Sequence, residues 1–148
     1  MGKVMALDIG ERRIGVAVSD ALGVLAQPWT VVQRQGVAKD VAQLVRLAQE
    51  QRVETVVVGL PLTLRGERAQ AVQKVEAFVS QLQEALRVPV VLVDERLSTS
   101  EAERRLREAE LSRAKRKQQV DAVAAALILE RYLHRQKGET HGDAERAP

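Results

Sequence analysis

The amino-acid sequence predicts an α/β domain on a mixed five-stranded sheet, with three antiparallel strands, then two parallel strands, and helices on its faces. Three observations lead to this prediction. The chain begins with three short apolar runs joined by tight turns, and it continues with apolar runs that alternate with stretches of helical periodicity. It has 148 residues, of which 45% are hydrophobic and 29% charged, as expected for one ordinary globular domain.

The antiparallel part of the sheet is predicted from the first three apolar runs. Residues 3–9 form a buried strand that closes near Asp8, and residues 14–19 form a second strand that ends in a polar turn. Residues 24–33 form the third strand. Because Pro28 cannot donate a backbone hydrogen bond to a neighbour, we expect this third strand at an edge of the sheet.

The parallel part of the sheet is predicted from the middle of the chain. Apolar residues at helical spacing predict helices over residues 38–51 and 67–87. Continuous apolar runs at residues 55–59 and 89–95 predict strands. Because helices separate these strands, we expect them to be parallel and covered on both faces.

Two further helices are predicted after the last strand. A capping box that begins at Ser98 indicates a helix over residues 99–110, and an apolar stripe indicates another over residues 117–135. The end of the chain is polar and has no period. We therefore predict one domain over residues 1–136 and a disordered tail over residues 137–148.

Composition excludes several classes of site. The chain has no cysteine, so it has no disulfide, thiolate metal site or cysteine nucleophile, and its two histidines near the C-terminus do not suit a histidine-rich zinc site. Aromatic residues are only 2% of the chain, too few for a surface that stacks bases. No run reaches the roughly 18 apolar residues of a membrane span, so we expect a cytoplasmic protein with no membrane partner.

Three carboxylates occupy positions where a catalytic or metal-binding site is plausible. Asp8 and Glu95 close the two long apolar strands, and Asp121 lies inside the last predicted helix beside its apolar stripe. Each has an ordinary explanation: Asp8 as a turn cap, Glu95 as a charged strand end, and Asp121 as part of a solvated helix face. Together they suggest a site, because the carboxyl ends of parallel strands are where α/β sheets place their sites.

A cluster of three carboxylates predicts a bound cation. Two like charges about 4 Å apart repel by about 4 kcal/mol at an effective dielectric constant near 20, so the cluster takes up protons or binds metal. Oxygen ligands select hard ions, which here means Mg²⁺ or Mn²⁺. Two such ions about 3.5–4 Å apart can activate water and stabilise the leaving oxygen of a phosphodiester.

A basic stretch over residues 104–117 lies directly before Asp121. A solvated helix and loop would explain such a run of charge. Beside an acidic cluster, however, it also suits a nuclease, because the cations hold the phosphate backbone while the acids hold the metal. The basic residues nearest to Asp121 are Arg113, Lys115, Arg116 and Lys117.

Four blocks of the sequence resemble the signature blocks of the YqgF/RuvX family, in the family's order. They are LDIGERRIGVAVSD at 7–20, VVVGLPLTLRGE at 56–67, VDERLSTSEAE at 93–103 and RKQQVDAVAAALIL at 116–129. The similarity covers about residues 3–134, and the Asp-Glu-Arg-Leu-Ser-Thr sequence joined to the other blocks is highly specific.

The resemblance implies a ribonuclease-H-like fold and a metal-dependent nuclease. By position, the family's acidic triad falls on Asp8, Glu95 and Asp121 as metal ligands; Asp94 is adjacent to Glu95, and only the match to the motif selects between them. Arg96 and Thr99 in the same block, with the basic residues at 113–117, are the expected phosphate contacts.

Three functions are compatible with this resemblance. The first is maturation of the 5′ end of pre-16S rRNA, and the second is resolution of Holliday junctions. The third is a non-catalytic RNA-binding factor in ribosome assembly, for which the basic stretch would serve equally well. Nucleic acid is the expected partner in each, and the two symmetric cuts of junction resolution favour a homodimer.

Overall fold

The computed structural model of the chain describes residues 2–60, 69–94 and 117–146. Over these ranges the chain forms five strands and three helices, and their order confirms the predicted α/β class. The strands are β1 (Val4–Ile9), β2 (Arg13–Ser19), β3 (Ala26–Gln33), β4 (Thr55–Leu60) and β5 (Val90–Asp94); the helices are α1 (Val37–Gln51), α2 (Ala69–Ala85) and α3 (Lys117–Arg146).

The five strands form one mixed sheet in the order β3-β2-β1-β4-β5. β1 pairs with β2 and β2 with β3 in antiparallel fashion, whereas β1 with β4 and β4 with β5 are parallel. The predicted arrangement of three antiparallel and two parallel strands is therefore confirmed. β3, which contains Pro28, lies at an edge as the sequence predicts.

The sheet separates two hydrophobic clusters, one on each face. Along β1, Met5 and Leu7 pack with α1 and α2, whereas Val4 and Ala6 pack with α3. This alternation follows from the two-residue period of a strand. The cluster under α3 contains small residues of the sheet, among them Ala6 and Ala17, so the helix lies close to the strands.

The last helix extends beyond its predicted end. α3 continues to Arg146, past the predicted end at residue 135, and because residues 137–146 carry no apolar stripe, the periodicity gave no sign of a helix there. Glu, Ala and Arg are good helix formers that can extend a helix already begun. The predicted helix over 99–110 lies outside the described residues, and the domain boundary at 136 stays a prediction. No described helix is long and apolar enough to cross a membrane.

The predicted turn after β2 is held by Asp20. Its carboxylate accepts backbone hydrogen bonds from Leu25 at 3.0 Å and from Val24 at 2.7 Å. These N–H donors favour the charged form, so they lower the pKa of Asp20 below its ordinary value. The turn thus fixes the start of β3 at the end of the sheet away from the C-terminal end of β1.

An ion pair with a buried carboxylate holds the turn that follows β1. Arg34 donates from Nε to Asp40, which is 1% exposed, at 2.7 Å. The Arg34 guanidinium also donates to the carbonyl of Gly10 at 2.8 Å, and it lies over the ring of Phe78 at 5.1 Å from the centroid. Asp40 further accepts the backbone N–H of Gln35 at 2.9 Å. One carboxylate therefore orients the arginine that ties the β1–β2 turn to both α1 and α2.

We expect Asp40→Asn to lower the free energy of unfolding by about 2 kcal/mol, because the buried carboxylate loses its charge-assisted hydrogen bonds and the partly exposed Arg34 loses its counter-charge. Urea denaturation followed by circular dichroism measures this change. Glu50→Gln, on the exposed side of the same helix, is the matched control and should change the stability by less than about 0.5 kcal/mol. Equal stability of the two variants would show that the ion pair contributes nothing.

Candidate active site

The carboxyl end of β1 places Asp8 on the face of the sheet that α3 covers. Asp8 is half-buried and lies directly opposite Gly15 of β2. Val4 and Ala6 of the same strand pack against α3, and the two-residue period puts Asp8 on their side. The backbone N–H of Gly10 donates to the carbonyl of Arg13 at 2.9 Å and closes the turn directly after this position.

α3 lies very close to the sheet at Gly15. A Cβ atom added to this glycine would overlap the backbone carbonyl of Asp121 and would lie 3.1 Å from the backbone nitrogen of Ala122. Glycine is therefore required here for a close helix–strand contact. The contact places the backbone of Asp121 over Gly15, the residue that pairs with Asp8, so both acids lie at the same end of the sheet.

Arg13 is the basic residue that contacts Asp121 at this end of the sheet. Its Nε donates to Oδ2 of Asp121 at 2.6 Å, and the two side chains are 29% and 27% exposed. A charge-assisted bond of this length in a partly desolvated site is stronger than an ordinary surface pair. Arg13 thus balances the charge of Asp121 at the end of the sheet where Asp8 also lies.

The third predicted acid, Glu95, directly follows β5 in the chain. β1 and β4 are in register up to the residue before Asp8, and Gly59 of β4 pairs with Val93 of β5. Asp8 and Val93 are therefore level across the sheet, and Gly59 between them carries no side chain. Val93 packs in the cluster under α3. Glu95, two positions further along the chain, lies outside the described residues.

The predicted site residues thus divide into two groups. The structure places Asp8 and Asp121 on the same face and at the same end of the sheet, and their role as metal ligands stays a prediction. Lys117 is the first residue of α3, at the same end of the helix as Asp121. The other candidates lie outside the described residues; they are Glu95, Arg96, Thr99, Arg113, Lys115 and Arg116.

The donor set of the site fits a hard divalent cation. Asp8 and Asp121 offer carboxylate oxygens from a strand end and a helix, and both are half-buried, which permits access for an ion. Within residues 2–60, 69–94 and 117–146 no three acidic or histidine side chains gather. The carboxylates could therefore hold Mg²⁺ or Mn²⁺ with water and further oxygens completing the coordination.

Sequence reasoning missed two residues of this site, Gly15 and Arg13. The sequence contained a signal for the first, because a glycine inside an apolar strand indicates a bulge or a close backbone approach. Arg13 carried no comparable signal, since an arginine in a polar turn is ordinary. Its partner Asp121 is remote in the chain, and only the packing of α3 against β2 brings them together.

The sheet order, the helix across one face and the acidic end of β1 define a ribonuclease-H-like domain. Solved structures support this class. RuvC of Thermus thermophilus, in a complex with Holliday junction substrate, has a TM-score of 0.60 at 18% identity, covering 92% of this chain and 96% of that chain. The Holliday junction resolvase of fowlpox virus has a TM-score of 0.56 at 11% identity, covering 89% and 98%. At these identities the likeness concerns the fold.

The chain belongs to the RuvX family, whose model is described as Holliday junction resolvase and matches residues 2–135. The resemblance seen in the sequence is thereby confirmed. A relative from Syntrophomonas wolfei, named as a candidate pre-16S rRNA nuclease, is 47% identical over 88% of this chain and 93% of its own length. A relative from Chloroflexus aurantiacus with the same name is 50% identical over 88% and 85%.

Proposed function

We propose that the protein is a metal-dependent nuclease that hydrolyses phosphodiester bonds in the maturation of the 5′ end of pre-16S rRNA. The observation that carries the proposal is that Asp121 packs on Gly15, the β2 partner of Asp8, on the face and at the end of the sheet where β5 leads to Glu95. The names of the relatives from Syntrophomonas wolfei and Chloroflexus aurantiacus support rRNA as the substrate.

Each acid has a distinct role in this proposal. Asp8 and Glu95 would hold one divalent ion, and Asp8 and Asp121 would hold a second. Metal bound there supplies Lewis-acid stabilisation of the phosphate and a water of lowered pKa. The protein's own contribution is to fix the carboxylates on rigid elements, Asp8 on a central strand and Asp121 on a helix seated against that sheet.

Substrate binding is assigned to the basic residues that the sequence places near the acids. Arg96 and Thr99 follow the β5 strand, and Lys117 opens the helix that carries Asp121. Such residues bind phosphates and set the position of the backbone without reading bases. The scarcity of aromatic residues fits recognition by shape and charge. The remaining phosphate contacts in the proposal are Arg113, Lys115 and Arg116.

Junction resolution is the second candidate function. The family description and the fold shared with RuvC favour it. Junction resolution differs from rRNA trimming because it needs two symmetric cuts. Two such cuts require two active sites related by a two-fold axis, and therefore a homodimer. A non-catalytic RNA-binding role would instead leave the acidic residues without a metal.

We expect Mn²⁺ to raise the melting temperature of the protein, because the ion binds carboxylates that repel one another only in the folded state. At about 100 times Kd the gain is about 2.7 kcal/mol, or roughly 5–10 °C for a chain of this size. Differential scanning fluorimetry with MnCl₂ against EDTA measures the shift, and Asp8→Asn is the comparison that should lose it. No shift at millimolar Mn²⁺ would favour the non-catalytic role.

Cleavage assays on an RNA and on a DNA junction, run in parallel, distinguish the two candidate substrates. A single-stranded RNA with the 5′ precursor segment of 16S rRNA and a four-way DNA junction are each incubated with the protein and Mn²⁺. The proposal expects RNA cleavage with little cutting of the junction. Paired symmetric cuts in the junction, together with a dimer in solution, would assign junction resolution instead.

A further inference from the structure

The ion pair of Arg13 and Asp121 lies inside the proposed metal site rather than beside it. Arg13 begins β2 directly after the turn that follows Asp8, and its Nε–Oδ2 bond to Asp121 is 2.6 Å long. With the side chains about 30% exposed, the bond is partly shielded from water and salt. The guanidinium therefore occupies one oxygen of a carboxylate that the mechanism assigns to a metal ion.

We propose that Arg13 is a built-in cation that holds Asp121 in the absence of metal and competes with the divalent ion for that carboxylate. This inference rests on the proposed function, because it assumes that the ion binds at Asp8 and Asp121. Arg13 is a positioning residue in this scheme. It balances the charge of Asp121 and orients its carboxylate until metal replaces the guanidinium.

Electrostatics predicts that Arg13 lowers the affinity of the site for a divalent cation. Without metal, Arg13 offsets the repulsion between Asp121 and Asp8 and so stabilises the folded protein. With metal, the same positive charge opposes the incoming ion. At a separation of about 6 Å and the dielectric constant of water, a unit charge changes the affinity for a divalent cation about tenfold. A residue that only oriented Asp121 for coordination would have the opposite effect, since its removal would weaken metal binding.

The test is the Mn²⁺ affinity of Arg13→Gln, measured by isothermal titration calorimetry on the full chain with melting temperatures in EDTA and in MnCl₂. We expect the variant to bind Mn²⁺ about tenfold more tightly than the wild type. We also expect it to melt at a lower temperature in EDTA, because Asp121 has lost its partner. The shift between the two conditions should therefore be larger than that of the wild type.

Two variants serve as matched controls. Arg12→Gln removes the same charge from the neighbouring residue, whose side chain is exposed, and it should change the Mn²⁺ affinity by less than about threefold because solvent and salt screen it. Arg13→Lys keeps the charge at the site, so its affinity should stay near that of the wild type. The Mn²⁺ affinities of the three variants distinguish an effect of the positive charge beside Asp121 from an effect of net charge.

The outcomes are distinct for the two proposals. Unchanged or weaker Mn²⁺ binding by Arg13→Gln, with normal binding by the wild type, would overturn the role of Arg13 and leave the nuclease proposal standing. Equal tightening by Arg12→Gln would overturn it as well, since the effect would not be local. If the wild type itself bound no Mn²⁺, the metal site would fail and this inference with it.

Discussion

Asp8→Asn and Asp121→Asn are each expected to lower the rate of phosphodiester cleavage by about 1,000-fold or more, because each removes a charged oxygen ligand worth several kcal/mol to the transition state. Substrate binding should persist, since the amide keeps the size of the carboxylate and removes a negative charge that repels phosphate. Single-turnover cleavage in Mn²⁺ gives the rate, and a filter-binding assay in EDTA gives the affinity for the same RNA.

Glu84→Gln is the matched control for this loss of charge. It lies on the exposed side of α2, across the sheet from the site, and should cleave at the wild-type rate. Circular dichroism shows whether the variants remain folded. Wild-type cleavage by either purified aspartate variant would contradict the assignment of that residue, and loss of RNA binding would indicate a role in substrate contact.

Gly15→Ala is expected to impair both stability and cleavage. The added methyl group has no room beneath the backbone of Asp121 and Ala122, so α3 must move away from β2. Overpacking of this kind costs about 1–3 kcal/mol. A displacement near 1 Å of a catalytic group lowers the rate about 100-fold. Urea denaturation and single-turnover cleavage measure the two effects, at a temperature where the variant is fully folded.

Leu82→Ala separates displacement of the helix from simple loss of stability. Leu82 is fully buried in the cluster on the opposite face of the sheet, and its truncation should cost about 2–5 kcal/mol while Asp121 keeps its place. It should therefore cleave at nearly the wild-type rate once folded. If Gly15→Ala behaves like Leu82→Ala, or like the wild type, the close contact at Gly15 does not set the site.

The strands were the most predictable part of the fold because their signals are local. Continuous apolar runs mark β4 and β5, and the proline at position 28 marks β3 as an edge strand. The length of α3 was less predictable. Its apolar stripe ends near the predicted boundary, and the polar residues up to Arg146 extend it without any periodic signal.

The candidate site was predictable only as a set of residues. The ends of apolar strands singled out Asp8 and Glu95, and the place of Asp121 beside the apolar stripe of the last helix singled out the third acid. The resemblance to the RuvX family then pointed to the same three residues. The contacts that organise the site were not visible in the same way. A glycine inside an apolar strand signals a close backbone approach at Gly15 but not which element approaches, and Arg13 has no signal that points to Asp121.

What the amino-acid sequence determined by itself was the order and type of the described elements, because hydrophobic period and turn residues act over short stretches of chain. The tertiary structure alone decided that a side chain near the start of the chain and one near its end form an ion pair at 2.6 Å. Such a pairing depends on how closely α3 packs against β2. That distance is set by the missing side chain of Gly15, which no local pattern of charge or hydrophobicity encodes.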